Sequence, residues 1–421
     1  MLSRALPKLG KKEPAPTYFT VLDIGTEVVK ALIIKREAAR GVVVGVGKVQ
    51  QSLSDMESGA VSDIQAVLEN CDRALTDAED MCEVIPAQGV IGIAGEQIQG
   101  FSTTLSIPRR QPQTGITQAE LTAALQELQE RAMREAVRRM ALELAVADVD
   151  IKLVNSAITS VQIDGYPVSN PFDFQGRQMT ITVFNTFAPL THISALETIA
   201  RELDLELITT VAEPYALAKG CASDDIVEMG GIFIDVGGGT TDVAMVRGGG
   251  LQSTRMFALG GRAFTKQIAS ELEMSLEEAE RFKIAYSEGR LAAHQRALAH
   301  RAIAPSAEVL LQGVALSLEE IAKDEPLPAA IYIAGGGGAL PEIQQGLRSH
   351  DWASTLRFVQ QPTVKMLAPT DVHGIFDATG MLRGTQDITP MGLAWHIVRP
   401  DEDDTDKLGG VMKRVMKLMK V

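Results

Sequence analysis

The segment with the most chemistry in this chain is Ile234-Asp235-Val236-Gly237-Gly238-Gly239-Thr240-Thr241-Asp242-Val243. Three adjacent glycines after an apolar run add nothing to packing. They let the backbone come close to a ligand and aim successive N–H groups at one anion. Thr240 and Thr241 add hydroxyl donors. Asp235, at the end of the apolar run, is placed to hold Mg²⁺ through water, because Mg²⁺ keeps much of its hydration shell. A loose surface loop would explain the glycines, but not an Asp on the preceding strand together with two Thr.

A second turn, Asp23-Ile24-Gly25-Thr26, is weak alone, since D-x-G-T occurs in many turns. It gains meaning from an echo: Val21-Leu22-Asp23-Ile24-Gly25-Thr26 and Phe233-Ile234-Asp235-Val236-Gly237-Gly238 share one pattern, which suggests a duplicated fold with two hairpins facing across a cleft. Lys30 is either a phosphate contact or a solvated strand lysine. Gly335, Gly336, Gly337 and Gly338 follow the apolar Ile331–Ala334 and precede a helix with Pro341 in its first turn. Such a turn lets a flat ring or a sugar lie against backbone; the plainer alternative is a tight turn that needs one Gly. Glu213 follows a strand ending at Val211, where α/β proteins open their ligand crevice. It is placed to orient an attacking water, although a solvated loop glutamate accounts for it equally well. No G-x-x-x-x-G-K-[ST] is present, and no G-x-G-x-x-G follows the first strand with an acidic residue about 20 positions on, so P-loop and dinucleotide-binding readings are disfavoured.

The elements that must hold these turns alternate between strand and helix, as in an α/β protein. Tyr18–Lys35 reads as two strands meeting at Gly25-Thr26, and Val42–Val49 as a third. Ser62–Asp80 has helical spacing in Ile64, Val67, Leu68, Cys71, Leu75 and Ala78. Gly89–Ala94 and Gln99–Ile107 read as strands. Thr117 with Glu120 three residues on is a capping-box pattern opening a helix to about Ala147. Strands are expected at Ile151–Val154, Ser160–Ile163, Met179–Phe187, Leu205–Val211, Ile232–Asp235, Val243–Val246 and Ile331–Ala334. Helices are expected at His192–Leu203, Ala263–Leu272, Leu276–Tyr286, 291–322 and Leu340–Arg348.

Hydrophobic residues make up 45% of the 421, enough for several cores, and 22% are charged, as in ordinary folded proteins. The formal net charge of −14 argues against nucleic acid as a partner. Three cysteines without a C-x-x-C pair point to a reducing, cytoplasmic setting. No run reaches the ~18 apolar residues of a membrane span. The last residues differ from the rest. Leu408, Val411, Met412, Val415, Leu418 and Met419 recur at three- and four-residue steps, with Lys413, Arg414, Lys417 and Lys420 on the other side. This is a basic amphipathic helix suited to an anionic membrane surface. Each basic residue there is worth ~1 kcal/mol. The acidic stretch before it favours an extended tether over docking on the body.

The quoted turns, with Ala334-Gly335-Gly336-Gly337, resemble the two phosphate loops and the adenosine loop of the actin and sugar-kinase superfamily. Within it the chain is most similar to the FtsA family of bacterial division proteins, over most of residues 18–400. Gly59–Ile64, Ile91–Gly95, Val161–Gly165, Phe174-Gln175-Gly176, Gly260-Gly261 with Thr265, and Ala279–Tyr286 carry that likeness. The resemblance implies a two-lobed actin-like ATPase fold with an FtsA-type inserted subdomain and a C-terminal amphipathic helix. It implies Mg-ATP between the lobes, with Asp23 and Asp235 ordering the metal, Gly25, Thr26, Gly237, Gly238, Gly239, Thr240 and Thr241 on phosphate, and Glu280, Lys283 and Gly335–Gly338 on adenosine. Hydrolysis, where present, would be slow, with Glu213 orienting water. The implied partners are further copies in a filament, the tail peptide of FtsZ and the inner face of the membrane.

On that template residues 1–16 are a basic leader, and 17–88 and 177–225 the first lobe core, with 89–176 inserted. Residues 226–255 and 326–370 are the second lobe core, 256–325 its extension and 371–399 the return to the first lobe. Residues 400–407 are an acidic linker and 408–421 the membrane helix. Two departures stand out. The stretch between Tyr286 and Ile331 looks short and lacks the family's β-hairpin, and Glu27 puts a carboxylate beside the first phosphate loop, where it would weaken phosphate affinity. An alternative on the same fold is a PilM-like cytoplasmic scaffold of type IV pilus assembly.

Overall fold

The computed structural model describes residues 17–398 apart from 39, 324 and 350, and residues 410–412, 414 and 415. The leader, residues 400–407, Leu408, Lys413, Lys417, Leu418, Met419 and Lys420 lie outside the described residues.

The chain opens with β1 (Thr17–Ile24), β2 (Val28–Glu37) and β3 (Arg40–Gln50), a meander of near-continuous apolar residues. The short pair β4 (Met56–Glu57) and β5 (Ala60–Val61) leads into α1 (Ile64–Cys82). Asp63 caps α1 by accepting from the Ala66 N–H, and Val67, Cys71, Ala74, Leu75 and Ala78 line its buried stripe. Next come β6 (Gln88–Ile93), β7 (Gln99–Pro108), α2 (Gln118–Glu143), β8 (Ile151–Ile163), β9 (Tyr166–Pro167) and β10 (Gln178–Pro189). The first lobe resumes with α3 (Leu190–Glu202), β11 (Glu206–Ala212), α4 (Glu213–Cys221) and α5 (Asp224–Met229).

A second meander follows: β12 (Gly231–Val236), β13 (Thr241–Arg247) and β14 (Gly250–Phe257). It is succeeded by α6 (Gly261–Leu272), α7 (Leu276–Ser287), α8 (Ala293–Ala322), β15 (Ala330–Ala334) and α9 (Pro341–Ser349). The described chain then runs through β16 (Thr363–Met366), β17 (Ile375–Asp377) and α10 (Ile388–Val398). Residues 291–322 are almost wholly helical, so the stretch between Tyr286 and Ile331 holds α8 and no strand before β15 among its described residues.

The duplication is visible strand by strand. One sheet runs β11-β6-β1-β2-β3-β17, and the other contains β16-β15-β12-β13-β14. In each, the first two strands of the meander are antiparallel, and the opening strand pairs parallel with a later one, β1 with β6 and β12 with β15. The helix that follows the third strand is α1 in one lobe and α6 in the other. One core gathers Val21, Leu22, Leu32, Ile33, Ile91 and Leu393; the other gathers Ile232, Ile234, Phe264, Leu310, Val314 and Ile333.

Residues between β6 and α3 build the inserted subdomain, a sheet of β7, β10 and β8 with α2 on one face. Its other face carries hydroxyls: Thr104 pairs with Thr182 at 2.9 Å and Ser106 with Thr180 at 2.8 Å. The strands expected at Ile151–Val154 and Ser160–Ile163 are one continuous strand, β8, bridged by residues that pair with β10 throughout. Thr117 accepts from the Glu120 N–H at 3.2 Å, but the Glu120 side chain turns to Arg109, so only half the expected capping box forms. A buried guanidinium outbids a backbone N–H for that carboxylate. The sheet joins that of the second lobe, because Ser253 and Thr254 of β14 pair with Phe101 and Gly100 of β7.

Close packing of α1 on β3 depends on a missing side chain. A Cβ on Gly47 would stand 1.8 Å from the Ala74 carbonyl oxygen. Gly47→Ala is therefore expected to push α1 off the sheet and cost about 2 kcal/mol or more, read as a lower urea midpoint at unchanged slope.

Candidate functional site

The two meanders end their first strands on acids that occupy equivalent places. Asp23 stands opposite Lys30 across β1 and β2, and Asp235 stands opposite Asp242 across β12 and β13. The seven-residue offset is the same in both hairpins, so the duplication extends to the site, with a lysine in one half where the other half has a second carboxyl. Lys30 is largely covered, its side chain 13% exposed, and bonds Asp23 at 2.9 Å, which disfavours the solvated-lysine alternative. Burial alone would lower the Lys30 pKa, but Asp23, Asp235 and Asp387 outweigh it and hold the ammonium above its ordinary value.

The surrounding carboxyls shift the other way. Burial, followed by Asp235, pushes Asp242 well above the usual range, and its Oδ1 has no hydrogen-bond partner among the described residues. Burial also raises Asp235, against the opposing pull of the Thr389 hydroxyl and Lys30. Thr389, on α10, donates to Asp235. Glu213 opens α4 at the end of β11 and lies over Gly92; burial, then Asp23, Asp242 and Asp235, drive its pKa well up. Asp387 receives Lys48 at 2.6 Å and the N–H groups of Arg383 and Gly384.

The loops between these strands touch. A Cβ on Gly238 would meet Glu27 Cβ at 2.8 Å, and one on Gly239 would meet Thr26 Oγ1 at 2.7 Å. These two glycines therefore serve the approach of the other loop. Gly237 closes the β12–β13 turn by donating its N–H to the Thr240 carbonyl at 2.9 Å. Thr240 is buried within the turn, and the Thr241 hydroxyl is spent on the Leu259 carbonyl at 2.7 Å. In the first hairpin, the Gly25 carbonyl accepts from Gln51 at 2.7 Å.

Arg262, in the first turn of α6, ties the lobes together. Its Nε bonds Glu27 at 2.8 Å, and its terminal nitrogens donate to the carbonyls of Thr26, Ser52, Leu53 and Met56. All five donors of the guanidinium find acceptors. The Glu27 carboxylate beside the first loop is paired with this arginine, which offsets its charge. The backbone N–H groups of Gly261 and Arg262 donate to the carbonyls of Gly237 and Gly238 at 2.8 Å, so the start of α6 is seated on the glycine loop.

Lys283 on α7 bonds Glu280 at 2.7 Å, Thr265 Oγ1 at 2.8 Å and the Gly261 carbonyl at 3.0 Å. The pair thus lies one layer behind the glycine loop and reaches it through Gly261. In the Gly335–Gly338 turn, most of the glycines answer to packing. Gly335 has φ +80°, and a Cβ there would stand 2.2 Å from Asp235 Oδ1. On Gly337 it would meet Val236 at 2.5 Å and on Gly338 Ile333 at 2.6 Å, whereas Gly336 faces nothing closer than 3.8 Å.

The tail is placed differently from a free tether. Gly410–Met412, Arg414 and Val415 are helical; Val411 and Val415 are 0% and Met412 5% exposed, within the apolar cluster of the inserted subdomain. Arg414 is exposed. The expectation that the acidic stretch keeps this segment off the body is thus corrected, because an uncovered apolar surface was there to receive it.

Lys48, Asp242, Arg262, Asp387 and Thr389 join the site without having been singled out. Asp242 had a usable signal, since its offset from Asp235 equals that of Lys30 from Asp23. Arg262, Asp387 and Thr389 arrive from distant segments, and nothing local marks them.

Two lobes of equivalent topology, each presenting an acid-ended hairpin to the other, define an actin-like α/β protein. The fold of a PilM-PilN type IV pilus biogenesis complex chain agrees, with a TM-score of 0.64 at 18% identity, over 90% of this chain and 98% of that one. The sequence family "Cell division protein FtsA" matches residues 232–367. The FtsA of Neisseria meningitidis serogroup B is 26% identical over 276 residues, which is 65% of this chain and 62% of that protein. The FtsA of Bacillus subtilis is 25% identical over 268 residues, 63% of this chain and 57% of that protein. The matches therefore span less than two thirds of those relatives' length. The chain is an actin-like protein related to FtsA.

The raised carboxyls set a pH dependence. A carboxyl whose pKa is higher folded than unfolded makes the folded chain bind the extra proton. Its stabilising contribution is full below the ordinary carboxylate pKa of about 4 and is lost as pH rises through the shifted value. Without added ligand, the contribution of these carboxyls to stability is expected to fall from acid toward neutral pH. Asp242→Asn removes one such group, so its urea midpoints should vary less with pH and exceed the wild type's near neutrality.

Proposed function

We propose that the chain binds Mg-ATP between its lobes, assembles into filaments with it, and tethers FtsZ-type division filaments to the inner face of the cytoplasmic membrane. The observation that carries the nucleotide reading is the mutual approach of the Asp23 and Asp235 hairpins in matching register. Thr26 and Gly237–Thr240 are the groups for phosphate, Lys30 the largely buried cation among the carboxyls beside them, and Gly336 the open glycine for adenosine. Glu280 and Lys283 would need to unlock from each other to reach a ligand.

The donor set suits magnesium. Asp23, Asp235, Asp242 and Glu213 place four carboxyls around one lysine, and a buried Asp242 oxygen is left unpaired. Among the described residues no three such side chains converge on one point that would chelate an ion directly, and Mg²⁺ commonly keeps several waters when carboxylates hold it. When bound, the ion would neutralise phosphate charge. Glu213 would orient the attacking water, and its raised pKa suits a slow, assembly-gating hydrolysis. No described helix is long and apolar enough to cross a membrane; the basic amphipathic pattern of residues 408–421 is what supports attachment. The helical 293–322 segment, with no described hairpin there, favours a second reading as a PilM-like scaffold; lipid binding by the tail separates the two.

Titration of a fluorescent ATP analogue with Mg²⁺ tests the core of this reading. Lys30→Ala is expected to weaken binding at least about tenfold, which is ~1.4 kcal/mol. Glu213→Gln is expected to bind normally and slow any hydrolysis ~100-fold. Wild-type protein with no affinity for adenine nucleotide would sink the proposal.

A further inference from the structure

The inserted subdomain has an apolar face wider than its one long helix can cover. A helix with its side chains is about 10 Å across, whereas three strands with their side chains span more than that at ~4.8 Å spacing. Leu105 of β7, Val161 and Ile163 of β8, and Met179, Ile181 and Val183 of β10 all turn to that face. Val411, Met412 and Val415 complete its cover, at one-, three- and four-residue steps that put all three on one side of a helix. Met412 Sδ comes within 4.0 Å of Gln129 Nε2, and Gln129 itself is held by Ser156 at 2.7 Å and Asn185 at 3.0 Å. At the edge, the exposed Arg414 guanidinium lies against the Gln118 amide, at the start of α2.

We infer that this face of the inserted subdomain is a docking site for the chain's own C-terminal helix, and that the docked helix is withheld from the membrane. The second half rests on the membrane reading proposed above. Its logic is exclusion: the side chains buried in the subdomain are the ones that would enter a bilayer, and they cannot do both. Three apolar side chains are a small contact, set against the cost of ordering the helix and its linker, so release is reversible. An anionic surface competes for the same apolar stripe and adds attraction for the basic residues. Copies aligned in a filament would then release and insert together with far more avidity than one.

The test uses the full chain with Gln118→Cys and Arg414→Cys, both surface positions, beside single-cysteine controls. The native Cys71 and Cys221 are buried, and the part-exposed Cys82 is replaced by Ser in every variant. Mild oxidation is expected to close the pair within one chain, seen as a fast-migrating monomer on a non-reducing gel. No cross-link, or a cross-linked dimer, overturns docking within one chain. Co-sedimentation with phosphatidylglycerol–phosphatidylcholine vesicles then reads occlusion: the oxidised form should bind at least about tenfold less than the same protein reduced. Val161→Thr, a near-isosteric change that makes the receiving face polar and leaves the tail intact, should bind several-fold more than wild type. Equal binding by oxidised and reduced protein overturns occlusion. A closed cross-link with no vesicle binding by any form, including Val161→Thr, sinks the membrane reading and upholds the docking.

Discussion

The contact between two loops at the lobe junction is the constraint on which the rest depends. Thr26 and Glu27 can rest on Gly238 and Gly239 only because those two positions carry no side chain. Arg262 then fastens the approach, with every donor of its guanidinium satisfied by the first lobe. A guanidinium so placed is a rigid strut, and exchanging it for lysine would leave several carbonyls without a donor. The proposed nucleotide site is thus built from backbone that is held by side chains, and the interlobe geometry is set at the same few atoms that a ligand would contact.

Charge explains why this junction is poised. One lysine, Lys30, lies amid Asp23, Asp235 and Asp387, while burial and the neighbouring carboxyls push Asp242 and Glu213 well above the usual carboxylate range. Burial of like charges favours their protonated forms, and on the reading proposed above a hydrated divalent ion would take the place of those protons. The asymmetry between the two hairpins, lysine in one and acid in the other, gives a duplicated fold a polar cleft, with its cation on one wall.

Much of this was legible in the chain itself, and the reasons differ by element. The glycine run and its echo at Asp23 were readable because hairpin chemistry is local: strand, acid, turn, strand. The helical stripe of α1 and the capping role of Thr117 were readable for the same reason. The rest was set by tertiary partners. Glu120 abandons its capping role for Arg109, and Gly335, Gly337 and Gly338 are dictated by β12 and β15 packing. Thr389 and Asp387 reach the site from beyond residue 380, and α10 is so uniformly apolar that no periodicity announces it.

The tail shows where pattern reading stops. An amphipathic period says that one face of a helix must leave water, but not which surface receives it. The acidic stretch ahead of residue 408 suggested a solvated tether, and a tether is indifferent to where its far end lands. What decides the matter is the supply of uncovered apolar surface nearby. β7, β8 and β10 offer one, continuous through β14 with the sheet of the second lobe. Because the receiving face and the glycine loop belong to one hydrogen-bonded sheet, a change in how the lobes meet would be felt by the strands that hold the tail. Coupling of that kind needs a packed element with two arrangements, and on the readings proposed above the tail helix, on protein or on lipid, would be such an element.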